Sequence, residues 1–345
     1  MADRNSVRKR FGTHGFGAAV VVAVGVLIVS PTVAFAATWR VVHALPTTLY
    51  ASAAAVGHNG MVYLFGGGGC AVSPTCPNGI SSKATLEYNP TTNTWANRAP
   101  MPAPRYYAIA VTGSGGKILV AGGYDDSNSA VNTAWQYTPA TNTWKTVASM
   151  SAARADAAAA LGSDRRIYVF GGDEGDPSNF SPTNTVEAFD PYANTWTSVA
   201  SSTRKWVFGA AAVAVGSTIY VCGGYVGGTK RFTSEVDAYS VPSNAWSTVA
   251  PMPRAESYGG AARARDGKIY VVGGSQFIAG HGYSSVRYVN TYAPPTNTWS
   301  AGPSLPQPRD DNAVTSVPGG SLYSIGGVNS NGSGVTVSNI VYALG

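Results

Sequence analysis

Short runs of β-branched and aromatic residues that end in a glycine pair recur along the chain. Six such pairs begin at Gly66, Gly122, Gly171, Gly223, Gly273 and Gly326. Five of them are followed by an aromatic residue and, seven positions later, by a tryptophan: Tyr88/Trp95, Tyr137/Trp144, Phe189/Trp196, Tyr239/Trp246 and Tyr292/Trp299. Apolar runs bounded by glycine are typical of short β-strands.

The spacing of these landmarks predicts repeated units of four strands. Each tryptophan precedes the next glycine pair by 27 residues, counting Trp39 before Gly66, whereas the step from a glycine pair to the next aromatic position varies from 15 to 22 residues. Four antiparallel strands in a repeat of about 40–50 residues are typical of a propeller blade. We therefore predict an all-β, six-bladed propeller over residues 37–345. Its insertions should lie between the second and third strands of each unit.

The two ends of the repeat region complement each other. Tyr342 occupies the aromatic position of the sixth unit, but no tryptophan follows it, while Trp39 has no third strand before it. We predict that the N-terminal strand containing Trp39 completes the last blade and closes the ring, which removes open sheet edges.

These features together resemble kelch repeats over residues 37–345. The resemblance rests on the glycine pairs, the spaced aromatic and tryptophan positions, and segments such as Pro251-Met252-Pro253. It implies a kelch β-propeller, a fold that serves both binding proteins and enzymes.

A different pattern precedes the repeats. Residues 1–36 hold four basic side chains against one acidic side chain, then an apolar run over residues 17–29, and end in Ala34-Phe35-Ala36. This order predicts a secretory signal peptide cleaved after Ala36. The apolar run is shorter than a bilayer span, and an uncleaved membrane anchor is the alternative. We expect a secreted, extracellular or cell-surface protein that meets the membrane only if the leader is retained.

Charge argues against a nucleic-acid partner. The chain has 23 Lys+Arg and 17 Asp+Glu, a formal net charge of +6. Half of that charge belongs to residues 1–36, and the remaining basic residues are scattered singly or in pairs. Nucleic-acid binding needs clustered Lys and Arg, so no nucleic-acid partner is expected.

The three cysteines agree with export. Cys70 and Cys76 lie close together in a segment rich in glycine and proline, and an oxidising compartment favours a disulfide between them over a metal site. Cys222, inside an apolar strand, is interpreted as a small buried hydrophobic residue.

The variable connections and the starts of the first strands should share one face of the propeller, and we place the candidate site there. One position lies 17 residues before each glycine pair: Leu49, Arg105, Arg154, Trp206, Glu256 and Arg309. Its neighbours include Tyr106, Tyr107, Asp156, Tyr258, Asp310 and Asp311. Two interpretations stay open. The arginines either pair with these carboxylates as structural groups, or they bind a carboxylate or sugar through bidentate hydrogen bonds.

A second group of candidates lies in the variable connections themselves: Tyr225, Phe277, His281 and Tyr283. Such aromatic side chains suit stacking on a sugar ring or a peptide, or they only pack the loops. Asp173, Glu174 and Asp176 offer oxygen ligands for Ca²⁺, but their spacing is not that of an EF-hand. Solvated loop acids are the preferred interpretation, and we predict no metal and no cofactor.

Motifs for catalysis are mostly absent, since the chain has neither a zinc-protease helix motif nor a phosphate-binding loop. Resemblance to galactose-oxidase-like kelch enzymes would imply a copper site with two histidines and a Cys–Tyr crosslink, but only His281 is well placed here and Cys222 lies in a blade strand. A sialic-acid anomerase or epimerase-like propeller is the stronger enzymatic alternative. Glu256 would then act as acid or base while Arg105, Arg154 and Arg309 bind the substrate carboxylate. The preferred prediction is a binding or interaction module for a protein or carbohydrate ligand.

Overall fold

The chain is described by a computed structural model covering residues 37–69, 80–202, 207–227, 231–278, 282–331 and 334–345. These residues form short β-strands and one 3-10 turn, Pro294–Thr296. The first strands are β1 Trp39–Val42, β2 Ala53–Val56, β3 Val62–Phe65, β4 Gly68–Gly69, β5 Ile80–Ser81, β6 Thr85–Asn89, β7 Thr94–Asn97, β8 Ile109–Thr112, β9 Ile118–Ala121, β10 Ala134–Thr138 and β11 Thr143–Val147. The middle strands are β12 Ala158–Leu161, β13 Ile167–Phe170, β14 Val186–Asp190, β15 Thr195–Val199, β16 Val207–Phe208, β17 Ala211–Val215, β18 Thr218–Cys222, β19 Tyr225–Val226, β20 Arg231–Phe232, β21 Val236–Ser240 and β22 Ala245–Thr248. The last strands are β23 Gly260–Arg263, β24 Ile269–Val272, β25 Ser275–Ile278, β26 Gly282–Ser285, β27 Val289–Ala293, β28 Thr298–Ala301, β29 Ala313–Ser316, β30 Leu322–Ile325, β31 Val328–Ser330, β32 Val335–Val337 and β33 Val341–Leu344.

Six four-stranded antiparallel sheets contain most of these strands. Their orders are β2-β3-β6-β7, β8-β9-β10-β11, β12-β13-β14-β15, β17-β18-β21-β22, β23-β24-β27-β28 and β29-β30-β33-β1. The second strand of a sheet, such as Ile118–Ala121, is buried on both faces, which is why it reads as a continuous apolar run. The aromatic and Trp positions pair directly, as Tyr137 does with Trp144. The predicted all-β propeller architecture is confirmed at this level.

The Asn-x-Trp motif ties each sheet to the sheet before it. Asn142 adopts a left-handed backbone conformation with φ 54°, which asparagine tolerates better than most residues. Its Oδ1 accepts hydrogen bonds from the backbone N–H of Ala99 at 2.7 Å and from the hydroxyl of Tyr137 at 2.8 Å. The indole Nε1 of Trp144 donates to the carbonyl of Ala99 at 2.8 Å. The same indole bond recurs from Trp95, Trp196, Trp246 and Trp299.

The strand β1 provides the fourth strand of the last sheet. It pairs with β33, with Trp39 opposite Leu344. The Nε1 of Trp39 donates to the carbonyl of Pro303 at 2.6 Å, so this tryptophan binds the preceding sheet as its five counterparts do. Two segments almost 300 residues apart in sequence thus form one antiparallel pair.

The glycine pairs permit a close approach between neighbouring sheets. Gly122 has φ +66°, and a Cβ atom built on it would lie 2.3 Å from the carbonyl oxygen of Arg154. The next residue, Gly123, donates its N–H to that same carbonyl at 2.9 Å. Any side chain at Gly122 would displace the following repeat, so both the conformation and the space require glycine.

The variable connections form small hairpins of their own. These are β4 with β5, β19 with β20, β25 with β26, and β31 with β32. Each lies between the second and third strands of its repeat, where the varying spacing predicted insertions. Isolated bridges such as Tyr50 to Gly68 and Asp310 to Val328 join the residues before a first strand to those after a glycine pair. These segments therefore share one face of the molecule, which we call the variable-loop face.

Apolar clusters between adjacent sheets form the core. Cys222 belongs to one of them and is 3% exposed, as predicted for a small buried residue. Within the described ranges no helix is long and apolar enough to cross a membrane. The predicted leader, residues 1–36, and the predicted Cys70–Cys76 disulfide lie outside the described residues.

Candidate functional site

One residue of each repeat contributes to a cycle of backbone hydrogen bonds at the centre of the molecule. These residues, the central ring, have left-handed φ values between 50° and 64° and are Ala51, Tyr107, Asp156, Gly209, Tyr258 and Asp311. The N–H of each donates to the carbonyl of the ring residue in the preceding repeat at 2.8–3.0 Å, and Ala51 returns the cycle to Asp311. A left-handed conformation costs about 1–2 kcal/mol for a residue with a Cβ. Such strain concentrates at functional sites, where the surrounding structure imposes it.

A cavity of about 440 Å³, the central pocket, opens above this ring on the variable-loop face. Its lining residues are Tyr50, Tyr107, Phe180, Phe208, Tyr225, Phe232, Tyr258, Ser275, Tyr283, Asp310, Asp311, Val328, Ser330, Val335 and Val337. A narrower cavity of about 110 Å³ shares Tyr107, Tyr258 and Asp311 with it and adds Asp156. The volume of the central pocket lies within the range of about 300–1,000 Å³ that is usual for small-molecule sites.

Aromatic rings form one wall of the central pocket. Phe208 is buried and stacks on Phe180 with ring centroids 4.7 Å apart. Tyr225 lies 4.9 Å from Phe208, and Phe232 lies 5.9 Å from Tyr225. Tyr283, which is 47% exposed, continues the wall 5.0 Å from Phe232. Because Phe208 fixes one end, the wall presents ring faces and edges without needing a ligand to order it.

Two adjacent aspartates also line the pocket. Asp310 is 5% exposed, and one of its oxygens accepts a hydrogen bond from the hydroxyl of Ser275. Oδ2 of Asp311 accepts the hydroxyl of Tyr107 at 2.7 Å. Among the described residues, the Oδ1 atoms of both aspartates are buried without a hydrogen-bond partner. Two unsatisfied acceptors thus belong to residues that line the pocket.

Burial perturbs the titration of these groups. It raises the pKa of Asp310 to about 6, against the lowering effects of the Ser275 and Ser285 hydroxyls and of Arg309. Burial and the neighbouring charge of Asp310 raise the pKa of Asp311 well above its usual range. In the narrower cavity, burial and then Asp173 raise the pKa of Asp156 to about 8. Each shift has the sign expected for carboxyls whose loss of water outweighs their favourable partners.

The candidate arginines do not line either cavity of the central site. Arg154 is 1% exposed and donates to the carbonyl of Gly171 at 2.9 Å and to Glu187 at 2.8 Å. Arg105 donates to the carbonyl of Pro104 at 2.6 Å and lies over the ring of Trp135.

Arg309 follows the same pattern, since its guanidinium donates to Ser338 and lies over the ring of Tyr342. All three are buried structural groups. Their partners are not the aspartates that the sequence offered as alternatives.

Glu256 occupies the same repeat position and is also buried. Its carboxylate accepts hydrogen bonds from the amides of Asn290 and Gln276 at 3.1 Å. Burial raises its pKa to about 7, while these amides and Arg254 act in the opposite direction. Gln276 separates it from a second cavity of about 610 Å³, the outer cavity, which is lined by Arg231, Phe232, Arg254, Ala255, Gln276, Phe277 and Tyr283.

The fourth repeat departs from the predicted register by one residue. The carbonyl that meets the glycine pair belongs to Val207, which lies 2.4 Å from a Cβ built on Gly171, rather than to Trp206. Compared with the other repeats, this repeat has one extra residue before that position and one fewer after it. The two changes cancel, so the spacing from the tryptophan to the next glycine pair is unchanged. Trp206 and His281 themselves lie outside the described residues.

The acidic segment of the third repeat is only partly solvated. Asp173 is fully buried, and its carboxylate accepts hydrogen bonds from the Tyr124 hydroxyl and the Ser181 backbone. Asp176 instead orders its own loop by accepting from the backbone N–H of Ser178 at 2.8 Å. The interpretation as solvated loop acids is thus wrong for Asp173. No cluster of three metal-ligating side chains occurs in the part of the chain that the structure describes.

The structure brings five predicted residues together in the central pocket: Tyr107, Tyr225, Tyr258, Tyr283 and Asp311. Ten further lining residues were not leading candidates, among them Tyr50, Phe208, Phe232 and Asp310, of which Asp310 was noted only as a neighbour. Tyr50, Phe208 and Asp310 occupy the position directly after the one that meets the glycine pair in their repeats. Comparing that position across repeats would have singled out Tyr50 and Asp310, but not Phe208, because the register of the fourth repeat is shifted by one residue.

Comparisons with known proteins place this architecture. The Attractin/LZTR1 beta-propeller family model matches residues 36–276 and 118–343. The solved structure of YjhT superposes with a TM-score of 0.72 at 19% identity, covering 87% of this chain and 95% of that one. No curated protein matches the chain. Together with the repeat motifs, the family match shows that this chain belongs to the Attractin/LZTR1 β-propeller family of kelch-type propellers.

Proposed function

We propose that this chain is an exported six-bladed propeller that binds a small ligand, or one group of a larger ligand, in the central pocket. The observation that carries the proposal is the concave pocket itself, built from aromatic and carboxylate side chains of several repeats. A ligand seated there would contact three of the six ring residues, Tyr107, Tyr258 and Asp311.

The six-bladed arrangement is supported by three independent features. Six four-stranded sheets occur in the described residues, and β1 supplies the last strand of the sixth. The backbone cycle through Ala51 and Asp311 contains one residue from each repeat. A closed ring gives a rigid scaffold on which loops of different length form a binding surface.

The shape of the pocket favours a ligand about the size of a sugar ring or a side chain over a flat protein surface. Exposed rings such as Tyr283 and Phe277 at its rim would extend contact to a carbohydrate or a protein segment. The proposal therefore covers both carbohydrate and peptide ligands, and in either case the central pocket holds the ligand's terminal group.

Carbohydrate turnover is the second candidate, and the outer cavity favours it. Arg231 and Arg254 line this cavity, and Glu256, with a pKa raised to about 7, lies behind Gln276. A carboxyl with this pKa suits acid–base catalysis near neutral pH. Its burial behind Gln276 requires that side chain to move before substrate reaches it, so we place binding first.

Binding and turnover are tested together on the mature protein, residues 37–345. A glycan array followed by titration calorimetry should identify a ligand whose affinity falls at least tenfold in Phe232→Ala. Tyr192→Ala is the matched control because Tyr192 is 72% exposed in a turn between third and fourth strands, on the opposite face. Equal affinities of these two variants for the ligand would refute the assignment of the central pocket as the binding site.

The same preparation decides between binding and catalysis. Anomer exchange followed by NMR should stay at the uncatalysed rate in the binding proposal. Rapid exchange that is lost in Glu256→Gln would establish the enzyme instead. Export is tested separately, since N-terminal sequencing of secreted material should begin at Ala37.

A further inference from the structure

We propose that the central pocket binds a cationic group, an alkylammonium or a guanidinium, between the carboxylates of Asp310 and Asp311 and the aromatic wall. This inference rests on the proposed function, because it assigns the chemistry of the ligand that the pocket holds.

The first argument is the charge of the pocket. Its described lining residues include two aspartates and no lysine, arginine or histidine. The narrower cavity adds the carboxyl of Asp156. Carboxyls without a basic residue among the described lining favour a cationic ligand, which would stabilise their ionised forms, over a ligand carboxylate.

The second argument is the unsatisfied hydrogen-bonding capacity of the aspartates. Asp310 is nine-tenths buried or more, yet within the described part of the chain neither its Oδ1 nor Oδ1 of Asp311 has a hydrogen-bond partner. Buried acceptors without partners are costly. An ammonium has three donors and a guanidinium has five, so either carries enough donors for both oxygens.

The third argument is that the neighbouring arginine does not neutralise these aspartates. Arg309 directly precedes Asp310, but its guanidinium donates to Gln307 at 3.1 Å and to Ser338 at 2.9 Å. It lies over the ring of Tyr342, away from the pocket. Within the described residues, Arg309 thus limits the rise in the pKa of Asp310 but donates no hydrogen bond to either aspartate.

The fourth argument is the aromatic wall that lines the same pocket as the aspartates. Ring faces attract cations electrostatically, and the effect grows when the cation leaves bulk water. Phe208, Tyr225 and Phe232 are adjacent members of this wall, with successive centroids 4.9 and 5.9 Å apart. A pocket lined by both rings and carboxyls matches the apolar and the charged parts of an alkylammonium group.

Matched small probes test the inference on residues 37–345. Calorimetry should detect binding of n-butylammonium and n-butylguanidinium, with butan-1-ol and butyrate binding at least tenfold more weakly. Asp310→Asn and Asp311→Asn should each reduce the ammonium affinity at least tenfold. Asp266→Asn, in a turn between first and second strands on the opposite face, should leave it unchanged.

Lysine- and arginine-containing peptides distinguish the source of the cation. Tighter binding of such a peptide than of the free amine indicates a protein ligand, and the reverse indicates a small metabolite. Either result supports the cationic group. A melting curve for each variant establishes that it is folded, and Phe232→Ala provides a second variant that does not alter the carboxylates.

Three outcomes would overturn the inference. The first is that butan-1-ol binds as tightly as the ammonium, and that this binding is lost in Phe232→Ala but kept in Asp310→Asn. The pocket would then bind ligands without selecting for cations. Ca²⁺ binding in place of the organic cations would assign the carboxylates to a metal. Failure of every probe and glycan to bind would refute the proposed function as well.

Discussion

The buried ion pair between Arg154 and Glu187 offers the most direct test of which arginines are structural. Its atoms lie 2.8 Å apart, and the two side chains are 1% and 2% exposed. Burial lowers the pKa of Arg154, and Glu187 counteracts that effect. In Glu187→Gln the guanidinium would stay buried without its counter-charge.

The expected loss of stability follows from this burial. Breaking one partner of a buried pair costs about 3–5 kcal/mol, and glutamine keeps one acceptor oxygen, so we expect about 3 kcal/mol. At roughly 2–4 °C per kcal/mol, the melting temperature should fall by about 6–12 °C. Glu87→Gln is the matched control because its partner Arg98 is 37% exposed, and exposed pairs contribute about 0–1 kcal/mol.

Urea and thermal unfolding of the mature protein, followed by circular dichroism, measure both variants. Melting temperatures of Glu187→Gln and Glu87→Gln within about 2 °C of each other would refute the structural assignment. So would an Arg154→Lys variant that folds with unchanged stability yet loses ligand affinity, because Arg154 would then face the ligand.

Three further predictions concern closure, pH and oxidation. Trp39→Ala should destabilise the fold by about 3–5 kcal/mol through lost packing and the lost bond to Pro303, whereas Val41→Ala, 64% exposed on the same strand, should change the unfolding free energy by about 0.5 kcal/mol or less in urea titrations. Burial raises the pKa of Asp156 to about 8 in the folded state, so its contribution to stability is present below about pH 4 and is lost as the pH rises toward 8. In Asp156→Asn, melting temperatures recorded across this pH range should decline less steeply. A slope equal to that of the unchanged protein would contradict the prediction. Peptide mapping of exported protein should find Cys70 linked to Cys76, and free thiols at both positions would contradict the disulfide.

The repeat architecture could be predicted because its requirements are local. A left-handed residue such as Asn142 and a close approach such as Gly122 each restrict the residue type at one position. When those restrictions recur at constant spacing, strands, turns and repeat number follow. The role of β1 as the last strand was also accessible, because Trp39 fits the spacing of the other tryptophans.

The candidate site was predicted only in part, because residue counting does not reveal where side chains point. Arg154 and Asp156 are two residues apart, yet the first is buried in its sheet while the second lines the narrower cavity. The left-handed turn at the ring residue, φ 54° for Asp156, separates them. In the fourth repeat, one extra residue before Val207 and one missing residue after it leave the overall spacing unchanged. The spacing alone therefore does not predict the position of Val207.

By itself, the sequence determined the strand repeats, the glycine and Asn-x-Trp contacts between sheets, and the face that carries the variable connections. Each of these depends on backbone geometry within or between adjacent repeats, and particular residue types indicate that geometry. Only the tertiary structure decided that the arginines are buried, that Asp310 and Asp311 keep unpaired oxygens, and that rings from separate repeats form one wall. Those features arise where side chains of several repeats meet, and this contact brings together residues as distant in sequence as Tyr107 and Asp311.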